Sequence, residues 1–205
     1  MSGQVPPQLE RAIAAEEAAN RELARIPEWI WDGETLPVPI EAICDSHYGL
    51  LIEEHHRLAE AAGTPPDIHL SGLLFSDARE VWVNAGEAPV RRRFTVGHEL
   101  GHWVLHCAHG HRSAGAVVHC RGSEVREEAA AGMDHIERYL DYPPDELDAN
   151  QFAAALLMPA RLLAAWTRSS SGEENLSRAF AVSPAAMSRR RWFLSTLGAG
   201  GAGGD

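Results

Sequence analysis

The chain has 205 residues, 45% of them hydrophobic, which is enough for one large domain or a domain with a small appendage. A formal charge of −11 and a pI near 5.4 argue against a protein that coats nucleic acid or an anionic membrane over its whole surface. The first eleven residues lack an apolar signal core and no run reaches the length of a membrane span, so a cytoplasmic location is expected.

Residues 6–26 read as a polar, alanine-rich helix in which Leu9, Ile13 and Leu23 are too sparse for a full core face. The expectation is a peripheral, partly frayed N-terminal extension over 1–34, ended by Pro27. A short helix then starts within 37–44, with proline in its first turn and Ile40, Ile43 and Cys44 inward. Residues 50–53 read as a strand. The apolar runs 71–75 and 80–84, separated by the turn-prone Ser76-Asp77-Ala78-Arg79, predict an antiparallel hairpin. Helix, strands and helix again predict an α+β fold.

The hairpin delivers the chain to Phe94-Thr95-Val96-Gly97-His98-Glu99-Leu100-Gly101-His102-Trp103. Two histidines four residues apart share one helix face, so both imidazoles can reach one ion. Glu99, beside the first, can act as the base for a water on that ion. Gly97 and Gly101 each cost a helix roughly 1 kcal/mol relative to Ala, which implies that something packs closely there, a strand or a substrate backbone. The bland alternative is a core helix with two satisfied histidines.

Residues 107–123 form a glycine- and histidine-rich loop. Cys107 and Cys120 lie there among His106, His109, His111 and His119; their spacing fits no standard zinc knuckle, and reduced thiols are the expectation. Residues 121–148 carry nine Asp and Glu against three Arg, and part of this stretch, 124–140, has the pattern of an amphipathic helix. Pro143-Pro144 opens a further helix and Pro159 closes it.

A metal site needs a third protein ligand. His106 lies about 6 Å beyond His102 along the same helix, too far unless the helix breaks, and a histidine six residues after His102 is ruled out because Ala108 stands there. Glu146 opens a second helix, with Asn150 one turn on and able to hydrogen-bond one of the histidines.

Phe94-Thr-x-x-His-Glu-Leu-Gly-His-Trp-x-Leu-His, followed by Glu146-x-x-Ala-Asn-x-Phe-Ala-Ala-x-Leu-Leu-Met-Pro159, resembles the ImmA/IrrE family of zinc metallopeptidases. The similarity extends over roughly 35–195. It implies a small zincin-like catalytic domain, 35–159, with Zn2+ held by His98, His102 and Glu146 and with Glu99 as the catalytic base. It also implies a protein partner, a helix-turn-helix repressor that is cleaved or inactivated, in a stress-response, mobile-element or toxin–antitoxin system. The non-catalytic counterpart is an anti-repressor or antitoxin on the same fold. Tyr139, Tyr142, His106 and Arg93 are candidates for stabilising the oxyanion.

Residues 160–197 carry six Arg against two Glu. Leu176-x-x-x-Phe180-x-Val182-Ser183-x-x-Ala186-Met187-x-x-Arg190 resembles the middle of a helix-turn-helix, which raises a third reading, a DNA-binding regulator. Against it, three consecutive arginines, Arg189 to Arg191, point around most of a helix, and the whole chain is acidic. These helices are expected to pack on the catalytic lobe or grip the protein partner. The tail 198–205 is disordered by composition.

Overall fold

The computed structural model describes residues 6–65, 69–107, 117–121, 143–169 and 172–200. The predicted helix over 124–140, Tyr139, Tyr142, His109 and His111 lie outside them. The fold is α+β. Helix α1 is Pro7–Leu23; α2, Ile40–Ala42, widens into a π-helical turn over Ile43–Tyr48. Strand β1 (Leu51–His55), helix α3 (Leu58–Ala61) and strands β2 (Leu70–Phe75) and β3 (Glu80–Asn84) lead to helix α4, Pro89–His102. This helix also widens into a π turn, over Trp103–Cys107. Strand β4 is Val117–Arg121, and four helices follow: α5 (Pro144–Leu157), α6 (Ala160–Ser169), α7 (Glu173–Ala179) and α8 (Pro184–Gly200).

The strands form one sheet in the order β1-β3-β2-β4. The predicted hairpin is present: Leu73 faces Trp82 and Phe75 faces Glu80 across an antiparallel pair. β1 joins β3 in parallel, and β4 joins β2 antiparallel with a register irregularity at Leu70/Gly72. The sheet alternation is asymmetric because Val81 and Val83 face the helices while Trp82 packs with Phe75 and His55 on the other side.

One core joins the sheet to all the helices but α3, whose Leu58 packs with Leu70 and Leu73 in a second, smaller cluster. Leu74, Val81 and Val83 of the sheet meet Val96 and Leu100 of α4, Phe152 and Leu156 of α5, and Phe180, Val182 and Met187 from the C-terminal helices. The C-terminal helices thus pack on the sheet, α4 and α5. Helix α8 continues to Gly200, past residue 198, where glycine-rich composition predicts a tail.

The N-terminal helix departs from expectation. Its inward face is built of alanines, Ala12, Ala15, Ala18 and Ala19, all buried. Sparse large apolar residues suggested a peripheral helix; small ones instead allow α1 to lie close along α5. Glu16 is buried on that face and receives Arg190 of α8 and the Gln151 side-chain amide, the latter at 2.9 Å. Of the three consecutive arginines, Arg190 is therefore a core residue, and it also donates Nε–H to the Met158 carbonyl at 2.9 Å. Arg189 and Arg191 are exposed. No helix among the described residues is long and apolar enough to cross a membrane.

Candidate metal centre

Helix α4 begins with Pro89 at its first turn, where a missing N–H costs nothing. Its second half, Thr95 to His102, is buried throughout. Two close approaches set its position. On the sheet side lies Gly72 of β2: a Cβ there would stand 2.3 Å from Thr95 Cγ2 and 3.0 Å from Glu99 Oε1. On the other side lies α5: a Cβ on Gly101 would be 3.0 Å from Ala149 Cα, and one on Gly97 would be 3.4 Å from Ala153 Cβ. The neighbour that explains the α4 glycines is thus helix α5, where the sequence suggested a strand or a substrate backbone. The two helices approach through glycine and alanine, and that brings the first turn of α5 to the histidines.

At this junction His98 Nε2 and His102 Nε2 are 3.1 Å apart. Glu146 places Oε2 3.3 Å from His98 Nε2 and Oε1 3.4 Å from His102 Nε2. Four donors at roughly 2.0–2.1 Å from a tetrahedral ion stand about 3.3 Å from one another. Two imidazole nitrogens and a carboxylate at these mutual distances fit a single small divalent ion. His98 turns its other nitrogen, Nδ1, to Asn150 Oδ1 at 3.0 Å, an N–H···O bond that leaves Nε2 facing the cluster. Asn150 lies one turn along α5 from Glu146.

The electrostatics of the trio are coupled. Burial works against a charge on His98, but the Glu146 hydrogen bond, the nearby Glu99 and Glu146 charges and Asn150 outweigh it and raise its pKa. For His102 burial prevails, helped by the His98 and His106 charges, and its pKa falls. Burial would raise Glu146, yet hydrogen bonds from His102 and His98 and their charge hold it well below the ordinary carboxylate range. These shifts favour the charged form of His98, the neutral form of His102 and the ionised form of Glu146. Glu99 is 0% exposed and its carboxylate lies against Gly72.

His106 does not join the trio. The π turn that begins at Trp103 carries it to a neighbouring cluster with Asp145 and Asp148. Its ring centroid is 5.6 Å from that of His102. There Arg11 of α1 reaches in: Nη2 lies 3.4 Å from Asp145 Oδ1 and 2.5 Å from Asp148 Oδ2, and Nε donates to Asp148 Oδ1 at 3.2 Å. Burial keeps the Asp148 pKa raised despite Arg11. Arg93 is committed elsewhere, donating to the Val38 carbonyl at 2.7 Å and to Glu41 at 3.0 Å, so it ties α4 to the start of α2. Cys107 belongs to neither group of potential metal ligands among the described residues. Cys120 sits in β4 opposite Gly72.

Arg11, Gly72 and the Glu16–Arg190 pair were not legible as parts of this region. Only Glu16 carried a signal, as a charged residue inside an alanine face. The chain matches the family model described as IrrE N-terminal-like domain, Peptidase_M78, over residues 55–131 and 137–191. No individual curated relative matches the chain.

Proposed function

The chain belongs to the Peptidase_M78 family of IrrE N-terminal-like domains and so is of metallopeptidase type, with a metal cofactor and a protein substrate; from that premise we propose that it is a zinc endopeptidase. His98, His102 and Glu146 would hold the ion, Glu99 would be the base, and Asn150 would orient His98. The observation that carries this reading is the 3.1–3.4 Å spacing among the Nε2 atoms and the Glu146 oxygens, one helical position from a buried glutamate. Zinc, when bound, supplies the Lewis acidity that makes water nucleophilic near neutral pH. Glu99 takes the proton that the attacking water sheds and returns it to the leaving amine. Asn150 keeps the His98 ring in the tautomer that presents Nε2.

The substrate we infer is a helix-turn-helix transcriptional repressor, in keeping with the ImmA/IrrE resemblance of the two motifs, and the shared compartment is then the cytoplasm. A glutamate beside the first histidine favours turnover over a non-catalytic anti-repressor, which has no use for a base. Burial of Arg190 favours a role in the fold for the basic helix over one on DNA. The test is to mix wild type and Glu99→Gln with a repressor encoded next to this chain and follow cleavage on a gel. Glutamine keeps the shape but cannot accept the proton, so cleavage should fall roughly 10²–10⁴-fold. Equal cleavage by both proteins would sink the enzymatic reading; binding without cleavage by wild type would promote the anti-repressor.

A further inference from the structure

Helix α1 precedes the residues matched by the family model, yet it reaches the first turn of α5. We propose that Arg11 is a positioning residue of the metal centre: it holds the α5 first turn so that Glu146 stays against the two imidazoles. The inference rests on reading His98, His102 and Glu146 as the ligands.

Three observations carry it. First, Glu146 lies in sequence between Asp145 and Asp148, and Arg11 bridges those two side chains. Three carboxylates in one helical turn repel one another, although each gains from the positive helix end. A guanidinium spanning the outer pair offsets that repulsion and leaves Glu146 to face the histidines. Second, the residue before the first turn of α5 is Pro143, which makes no side-chain cap there. Third, the packing of α5 on α4 leaves the side of this turn toward α1 open among the described residues. A cavity of about 520 Å³ opens between α1 and the π turn, lined by Ala14, Ala18, Leu105 and His106 together with Arg11 and the two aspartates. Further along, α1 is locked by Glu16 to Gln151 and Arg190, so Arg11 projects from an anchored helix. The guanidinium has a fixed base from which to hold the turn.

The test uses the full chain, stripped of metal and then titrated. Zn2+ affinity is measured by competition with a chromophoric chelator, and Co2+ binding by its visible absorption, which reports coordination geometry. Removing a partner that orients a metal ligand typically weakens binding 10–100-fold. Arg11→Met should weaken Zn2+ binding roughly tenfold and alter the Co2+ spectrum, while thermal unfolding of the metal-free protein stays near wild type. Arg11→Lys should recover most of the affinity. Asp148→Asn breaks the same bridge from the α5 side and should reproduce the loss, which keeps the test available if Arg11→Met folds poorly. Wild-type affinity and spectrum in both Arg11→Met and Asp148→Asn would overturn the inference. So would a loss that follows metal-free stability and is not recovered by lysine. His98→Ala separates the two levels: if it loses zinc while Arg11→Met does not, only the inference falls; if it keeps zinc, the ligand reading falls and the inference with it.

Discussion

Arg190 of α8 makes a two-pronged ion pair with Glu16 of α1, 174 residues away in the chain, and both side chains are buried. The pair joins the first helix to the last across α5, with Gln151 and the Met158 carbonyl completing the hydrogen bonds. Breaking a buried pair from one side leaves an uncompensated charge, typically at a cost of about 3–5 kcal/mol. Arg190→Met should therefore lower stability by roughly that amount in urea unfolding. The double change Glu16→Leu with Arg190→Met should recover most of it, because no lone charge remains. Equal losses in the single and double variants would show that the pair is not what matters. Arg189→Ser, on the exposed face, should cost little.

Gly101 sets the spacing between the helix of the histidines and the helix of Glu146. Its absent Cβ would meet Ala149 main-chain atoms, Cα at 3.0 Å and O at 3.1 Å, which cannot turn aside as a flexible side chain can. Gly101→Ala should gain helix propensity of roughly 1 kcal/mol yet lose more than that to overpacking, about 1–3 kcal/mol. It should also weaken zinc binding. Chelator competition beside a thermal melt checks both, and an unchanged or raised stability with full zinc affinity would contradict the close-packing account.

Gly72 acts in the same way on Glu99 from the sheet side. Gly72→Ala presses on Thr95 and on the Glu99 carboxylate together. Adding Thr95→Ser removes the 2.3 Å contact but leaves the one to Glu99. The double variant should regain most of the melting temperature while proteolysis stays below that of Thr95→Ser alone. Full recovery of both would confine the role of Gly72 to packing.

The metal-free trio predicts a pH signature. Glu146 has a folded pKa below its ordinary 4.5, so its contribution is present above pH 4.5 and is lost as pH falls through the folded value. His98 has a folded pKa above 6.5, so its contribution is present below pH 6.5 and is lost as pH rises through the folded value. The pair thus supports the metal-free protein best between about pH 4.5 and 6.5. Metal binding must expel the His98 proton in that window. Calorimetry in two buffers of different ionisation enthalpy should find net proton release on zinc uptake at pH 6. Zinc uptake at pH 6 without net proton release would contradict the assignment.

The parts of this molecule that could be read from residues are those governed by short spacing. His98 and His102 share a face because they are four apart, and Asn150 follows Glu146 by one turn, so periodicity alone orders them. The Ser71–Asn84 hairpin was readable from alternation and a turn tetrapeptide. What could not be read depended on three-dimensional closeness between distant segments. An alanine face looks weakly apolar, so α1 reads as peripheral, yet it buries well against a partner helix. Glycines on α4 announced a close neighbour without saying which, and only the fold identifies it as Ala149 and Ala153 of α5. A run of three arginines gives no hint that its middle member turns inward to Glu16.

Elemental analysis of the purified protein decides whether His98, His102 and Glu146 hold one zinc. One zinc per wild-type chain is expected, lost when His98, His102 or Glu146 is changed to Ala, and retained in Glu99→Gln and His106→Ala. Full zinc in Glu146→Ala together with loss in His106→Ala would contradict it and move the third ligand to the π turn.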